Sequence, residues 1–118
     1  MAEPIKKILL TSNKKKHFIN ASEILLVKAR NIYAIIYLQN GDELLVNETI
    51  SYIEKQLNSP DFYRAHRSYL VNIHCIITYH KAKQQLVIKN YNHLTPIARD
   101  KKKDFELVLN TMFKAITK

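Results

Sequence analysis

A single cysteine, a single glycine and a shortage of acidic residues restrict this chain before any motif is read. With Cys75 alone no internal disulfide forms, and a reducing cytoplasm is the natural setting. Cys75 has no second cysteine at zinc-ligand spacing, and the histidines do not make up for it: His66 and His74 stand far apart, and His80 and His93 fall on separate turns. Neither a metal site nor another cofactor is expected. The lone glycine, Gly41, rules out a Gly-rich phosphate loop. The longest apolar run, Ile32 to Leu38, falls well short of the roughly 20 residues of a membrane span. Met1 to Lys7 carries charge but no apolar signal core, so secretion is not expected. Ser68 stands near His66, but nothing suggests an oriented acid or an oxyanion hole around them, and the chain is not expected to be an enzyme.

What is present is a core and a positive charge. The 118 residues suit one domain, and 47% of them are apolar, which argues against disorder. Lys and Arg number 19 against 10 Asp and Glu, a net charge of +9, and an excess of that size points to a polyanion: nucleic acid first, then an anionic membrane surface or an acidic protein.

The pattern along the chain is that of short strands. Ile8 to Thr11 reads as a strand in a lead-in over 1–16, followed by a polar, basic turn from Thr11 to Lys16 that suits either a solvated loop or phosphate attraction. His17 to Asn20 and Ile24 to Val27 read as strands around Ala21-Ser22-Glu23, and Lys28 to Asn31 breaks the apolar pattern. Tyr33 to Leu38 and Glu43 to Val46 form a hairpin through Asn40-Gly41-Asp42. From Thr49 to Leu57 the period becomes helical, with Ile50, Ile53 and Leu57 on one face and Ser51 and Glu54 at capping-box spacing. Strands follow at Cys75 to Tyr79, Leu86 to Ile88 and Leu94 to Ile97. A last helix carries Phe105, Val108, Leu109, Met112 and Ile116 as a stripe packed on the sheet, with Asp100 as its N-cap.

Cations gather at strand ends and turns: Lys28 and Arg30, Arg64 and Arg67, and Arg99 with Lys101, Lys102 and Lys103. A guanidinium can grip a guanine edge or a phosphate through two bonds, whereas an ammonium is a point charge. Structural roles compete: Arg67 as an ion-pair partner, Arg99 as a shield at a helix start, His66 and Asn72 as hydrogen-bonding residues of the turn. No helix-turn-helix, zinc finger or RNP motif identifies the type of binder.

The central stretch Phe62-Tyr63-Arg64-Ala65-His66-Arg67-Ser68-Tyr69-Leu70-Val71-Asn72 is a polar connection between two apolar runs. Its order closely resembles the signature of the LytTR family of bacterial DNA-binding domains. The likeness extends to Ile24-Leu25-Leu26-Val27, Asn31-Ile32-Tyr33 and Pro96-Ile97-Ala98-Arg99, covering roughly 17–110. The resemblance implies a mainly β, elongated antiparallel fold with one or two helices, one of them C-terminal, over 17–118. It implies double-stranded promoter DNA as partner, read by loops in successive major grooves, with two copies on repeated sites. The implied base contacts are Arg30 or Asn31, Arg67, and Arg99; Lys28, Lys101, Lys102 and Lys103 are expected at phosphates by charge rather than by motif.

Two positions depart from the family pattern. Lys28 stands where many members carry an acidic residue, which adds positive charge beside the first loop, and Ala98 stands where a serine often precedes the arginine, which removes a hydroxyl donor. Members usually follow a receiver domain, and 1–16 cannot hold one. The chain therefore reads either as a stand-alone regulator, with a membrane-bound inhibitor as one kind of partner, or as the DNA-binding half of a response regulator in a two-component system. A basic module docking an acidic partner or RNA polymerase is the competing reading. Binding of single-stranded RNA on Tyr33, Tyr37 and Tyr91 is a third, and needs those rings exposed together.

Overall fold

Strand β3 (Ile24–Arg30) is the axis of the structure, a computed structural model that describes residues 6–113. Its first four residues are all buried, the mark of a strand covered on both faces. It pairs on one side with β4 (Tyr33–Leu38), which carries β5 (Glu43–Val46), and on the other with β7 (Tyr69–Asn72), which carries β6 (Phe62–His66). All pairings are antiparallel, in the order β5-β4-β3-β7-β6.

One face of this sheet is covered by the hairpin of β1 (Lys7–Ser12) and β2 (Lys15–Asn20) together with helix α1 (Ile50–Leu57). Ile8, Leu10 and Ile19 face inward to Val27, Ile36, Val46, Ile53 and Leu70. The hairpin turns on Asn13 and Lys14, both at positive φ (49° and 67°), as a two-residue turn of this hand requires. Its turn is tighter than the sequence suggests, since the strands run through Ser12 and resume at Lys15.

The other face meets a three-stranded sheet, β8 (Ile76–His80), β9 (Gln85–Ile88) and β10 (Thr95–Pro96), and helix α2 (Lys102–Phe113). A register shift between Ile24 and Leu26 turns both Leu25 and Leu26 into this second core, beside Val71, Leu86, Ile88 and Phe105. The resulting slab measures 51 × 40 × 23 Å. None of its described helices is long and apolar enough to cross a membrane.

Several local expectations are corrected. Lys28, Ala29 and Arg30 continue β3 and do not break it, because pairing to both β4 and β7 outweighs the loss of apolar character. The cap of α1 is Thr49, whose side chain accepts from the Tyr52 N–H at 3.1 Å, so Ser51 and Glu54 lie inside the helix. Asp100 caps nothing: it sits within a 3-10 turn, Arg99–Lys101, preceded by Ala98. On α2 Phe105 is fully buried and Val108, Leu109 and Met112 are half-buried, while Ile116 lies outside the described residues. Tyr91 is buried edge-on against Tyr37 at 4.8 Å, so Tyr33, Tyr37 and Tyr91 do not form an exposed stacking platform.

Candidate nucleic-acid interface

Two backbone hydrogen bonds gather the expected recognition residues at one end of the five-stranded sheet. The Ala29 N–H donates to the Ser68 carbonyl at 2.8 Å, which sets the β3–β4 turn beside the β6–β7 turn. The Ala98 N–H donates to the Ala65 carbonyl at 2.7 Å, which sets Arg99 beside the same β6–β7 turn. Arg30, Asn31, Arg67 and Arg99, dispersed in sequence, thus fall into a row of three exposed protrusions.

The first protrusion is a two-residue turn, Asn31-Ile32, between the paired Arg30 and Tyr33. Asn31 takes φ 57°, a left-handed conformation that Asn tolerates better than most side chains. Ile32 presents its apolar side chain to solvent, 68% exposed. Lys28, half-buried behind the turn, holds its ammonium over the Tyr69 ring, 5.8 Å from the centroid.

The second protrusion, Arg67-Ser68, is the most heavily braced. Arg64 folds back under it: Nη2 donates to the Arg67 carbonyl at 2.6 Å, and Nε donates to the His66 and Arg67 carbonyls, each at 3.2 Å. Its Nη1 reaches Glu54 Oε1 on α1 at 2.9 Å. The Ser68 N–H donates to His66 Nδ1 at 3.1 Å, so His66 closes the turn as a hydrogen-bonding residue. Arg67 itself is exposed, and among the described residues the ion pairs are Arg64–Glu54, His74–Asp61 and Lys81–Glu106. Arg64, expected from its place in the chain to be presented with Arg67, is instead turned inward as the brace of the turn that presents Arg67. Its guanidinium has carbonyls within reach on its own strand end, and Glu54 one helix away, so folding back satisfies it.

The third protrusion is the 3-10 turn holding Arg99. The Tyr63 hydroxyl, on β6, donates to Asp104 Oδ2 at 2.7 Å and lies 3.4 Å from the Lys101 carbonyl, fastening the start of α2 to the sheet. Burial first, then Asp104, pushes the Tyr63 phenol far above its usual range. Lys103 is exposed, while Lys101 and Lys102 are half-covered. Further along α2, the Tyr79 hydroxyl donates to Glu106 Oε2 at 2.6 Å.

Burial, and then Glu106, push Tyr79 up to about 12 from 10.0. A phenol whose folded pKa is raised favours the folded state fully below the unfolded pKa, and that contribution disappears as pH rises through the folded one. We expect stability to urea to fall between about pH 10 and 12 more in the parent than in Tyr79→Phe, a difference read by repeating the melt across that window. Parallel curves for the two proteins would mean that the phenol makes no such contribution.

Asn72, on the far side of the sheet, ties rather than presents. Its Nδ2 donates to the Ile24 carbonyl at 2.9 Å, and its Oδ1 accepts from the His74 N–H at 3.0 Å. Buried Cys75, also in the second core, has its thiol pushed up by burial, which keeps it protonated and unreactive near neutral pH.

A family model described as the LytTr DNA-binding domain matches residues 14–110. Among solved structures, a LytTr DNA-binding domain from Bacillus cereus aligns with a TM-score of 0.68, over 88% of this chain and 96% of that one, at 19% identity. A likeness at that identity speaks for the fold. No curated protein matches.

Proposed function

The chain belongs to the LytTR family of DNA-binding domains, and we propose that it is the DNA-reading domain of a bacterial transcription regulator, acting in the cytoplasm on repeated promoter sites. The observation that carries this reading is the row of three protrusions at one end of the sheet, each exposing an arginine and two of them locked together through Ala29–Ser68. Strands lie about 4.8 Å apart, so the β3–β4 and β6–β7 turns, two strand positions apart, stand roughly 10 Å from each other. That is about three base-pair steps along a duplex, at about 3.4 Å per step.

Arg67 and Arg99 then read base edges through their planar guanidinium groups, and Arg30 with Asn31 reads the next stretch of groove. Lys28, Lys101, Lys102 and Lys103 neutralise phosphates, which positions the domain without reading sequence. Two copies on repeats about one helical turn apart would present the same row twice to one face of the duplex.

The test is selection of random duplex DNA on the purified chain near physiological salt, followed by a salt titration on the enriched duplex. A repeated motif should emerge. If the four lysines each engage a phosphate, log affinity should fall against log salt with a slope of about −3.6 or steeper, at about −0.9 per phosphate. A folded, monodisperse sample that enriches no motif would sink the reading and turn the basic face toward an acidic protein partner.

A further inference from the structure

The hairpin β1–β2 ends at the same end of the sheet as the three arginines. The Asn47 N–H donates to the Thr11 carbonyl at 2.8 Å, and the Thr11 N–H donates to the Glu48 carboxylate at 3.0 and 3.2 Å. Asn47 and Glu48 follow Val46, and Val46 pairs with Ala34 at the start of β4, next to the Asn31-Ile32 turn. The opposite, open end of the hairpin is fixed at the far end of the sheet, where the Ala21 N–H donates to the Lys6 carbonyl at 2.8 Å. The closed tip therefore stands near the end of β5, at the same end of the sheet as the other protrusions. Across this end the order is Arg99, Arg67, Arg30-Asn31, and then the tip with Lys14, Lys15 and Lys16.

All three of these lysines are exposed, and among the described residues none joins an ion pair. Glu48, the nearest carboxylate by these contacts, is spent on the Thr11 amide. The tip is also stiff for a surface feature, because Asn13 and Lys14 already hold the two positive-φ positions and Ile8, Leu10 and Ile19 anchor the hairpin in the first core. A charge run on a free loop is most simply a solvated face; here an anchored hairpin holds it at the end of the sheet where the arginines lie.

We infer that Lys14, Lys15 and Lys16 form a further phosphate-binding site, which grips the duplex backbone beyond the base pairs read from Arg30-Asn31, on the side away from Arg99. The inference rests on the proposed DNA-reading function and adds to it an element whose first strand lies outside the residues matched by the family model. Ammonium groups on a stiff arm would neutralise phosphates and set register without contributing base preference.

The experiment compares the parent with the triple variant Lys14→Asn, Lys15→Gln, Lys16→Gln on the parent's enriched duplex, by salt titration and by phosphate-ethylation interference. Asn is chosen at position 14 because it accepts the left-handed backbone there. A second triple variant, Lys6→Gln, Lys7→Gln, Lys89→Gln, removes the same charge from exposed positions away from this end. The tip variant should lower the magnitude of the salt slope by about 2 to 3, at about 0.9 per phosphate, and lose interference at the flanking phosphates while selecting the same motif. The distal variant should do neither. A tip variant with the parent's slope and footprint, or a distal variant that loses as much, overturns the inference and leaves the DNA-reading function standing. A parent that selects no motif overturns both.

Discussion

Arg67→Ala should leave the melting temperature unchanged while blurring the selected motif at one position, by about 1 to 3 kcal/mol of discrimination, or roughly 5- to 150-fold. Its side chain is exposed, and the turn that carries it is held by backbone carbonyls and by other residues. Arg64→Ala should behave differently. It removes the donors to the His66 and Arg67 carbonyls and the partner of Glu54 from a side chain only 22% exposed. Hydrogen bonds from a charged group contribute about 1.5 to 3 kcal/mol each at most, and the Glu54 pairing adds little at its exposure, so a stability loss of about 1 to 3 kcal/mol is expected. Discrimination by Arg67 should fall with it, because the turn loses its direction. Arg64→Lys should not restore either property, since an ammonium cannot span both carbonyls in a fixed plane. Thermal melts and selections on all three variants decide the matter: an Arg67→Ala protein that unfolds, or an Arg64→Ala protein that melts and selects like the parent, would reverse the assigned roles.

This contrast shows what could be read from sequence. The Phe62 to Asn72 stretch announced a connection between two strands with a cation at its tip, because apolar runs flank a polar centre, and the connection is there at Arg67-Ser68. That one arginine faces out while another, three residues earlier, braces the turn depends on Glu54 and on carbonyl directions, which alternation of residue types does not encode. Likewise Thr49 takes the cap of α1 because the chain leaves β5 in extended conformation through Thr49, whereas the Ser51–Glu54 spacing is equally good on paper. Lys28 to Asn31 reads as an interruption when polarity is followed along one strand, yet Lys28 to Arg30 belong to β3 and only Asn31 lies in the turn. Two-sided pairing to β4 and β7 makes Lys28 to Arg30 the outer end of the central strand. The gathering of Arg30, Arg67 and Arg99 is a product of two long-range backbone bonds, and no local pattern carries those. The resemblance implies a common role for them, and the structure supplies the adjacency that such a role would need.

Phe105→Ala should produce the largest stability loss among these substitutions, about 3 to 5 kcal/mol, because it empties a fully buried aromatic site. Phe105 lies 5.3 Å from the Tyr63 ring and 5.2 Å from the Tyr79 ring, centroid to centroid, and is the one residue of α2 that is fully buried. Against the roughly 5 to 15 kcal/mol of a domain of ordinary stability, such a loss takes a large share, and urea denaturation would read it directly. The location adds a consequence that magnitude alone does not. α2 begins where the Arg99 turn ends, so loosening α2 frees Arg99 and Lys103 from the sheet while β3, β4 and the Arg67 turn keep their own pairings. Ile53→Ala, on the buried face of α1 in the first core, should cost about 2 to 5 kcal/mol without touching that attachment. At a temperature where both variants remain mostly folded, Phe105→Ala should lose the base preference that Arg99→Ala loses, and Ile53→Ala should keep it. Equal preference in the two core variants would mean that Arg99 is positioned by the Ala98–Ala65 bond alone and that the helix merely follows it.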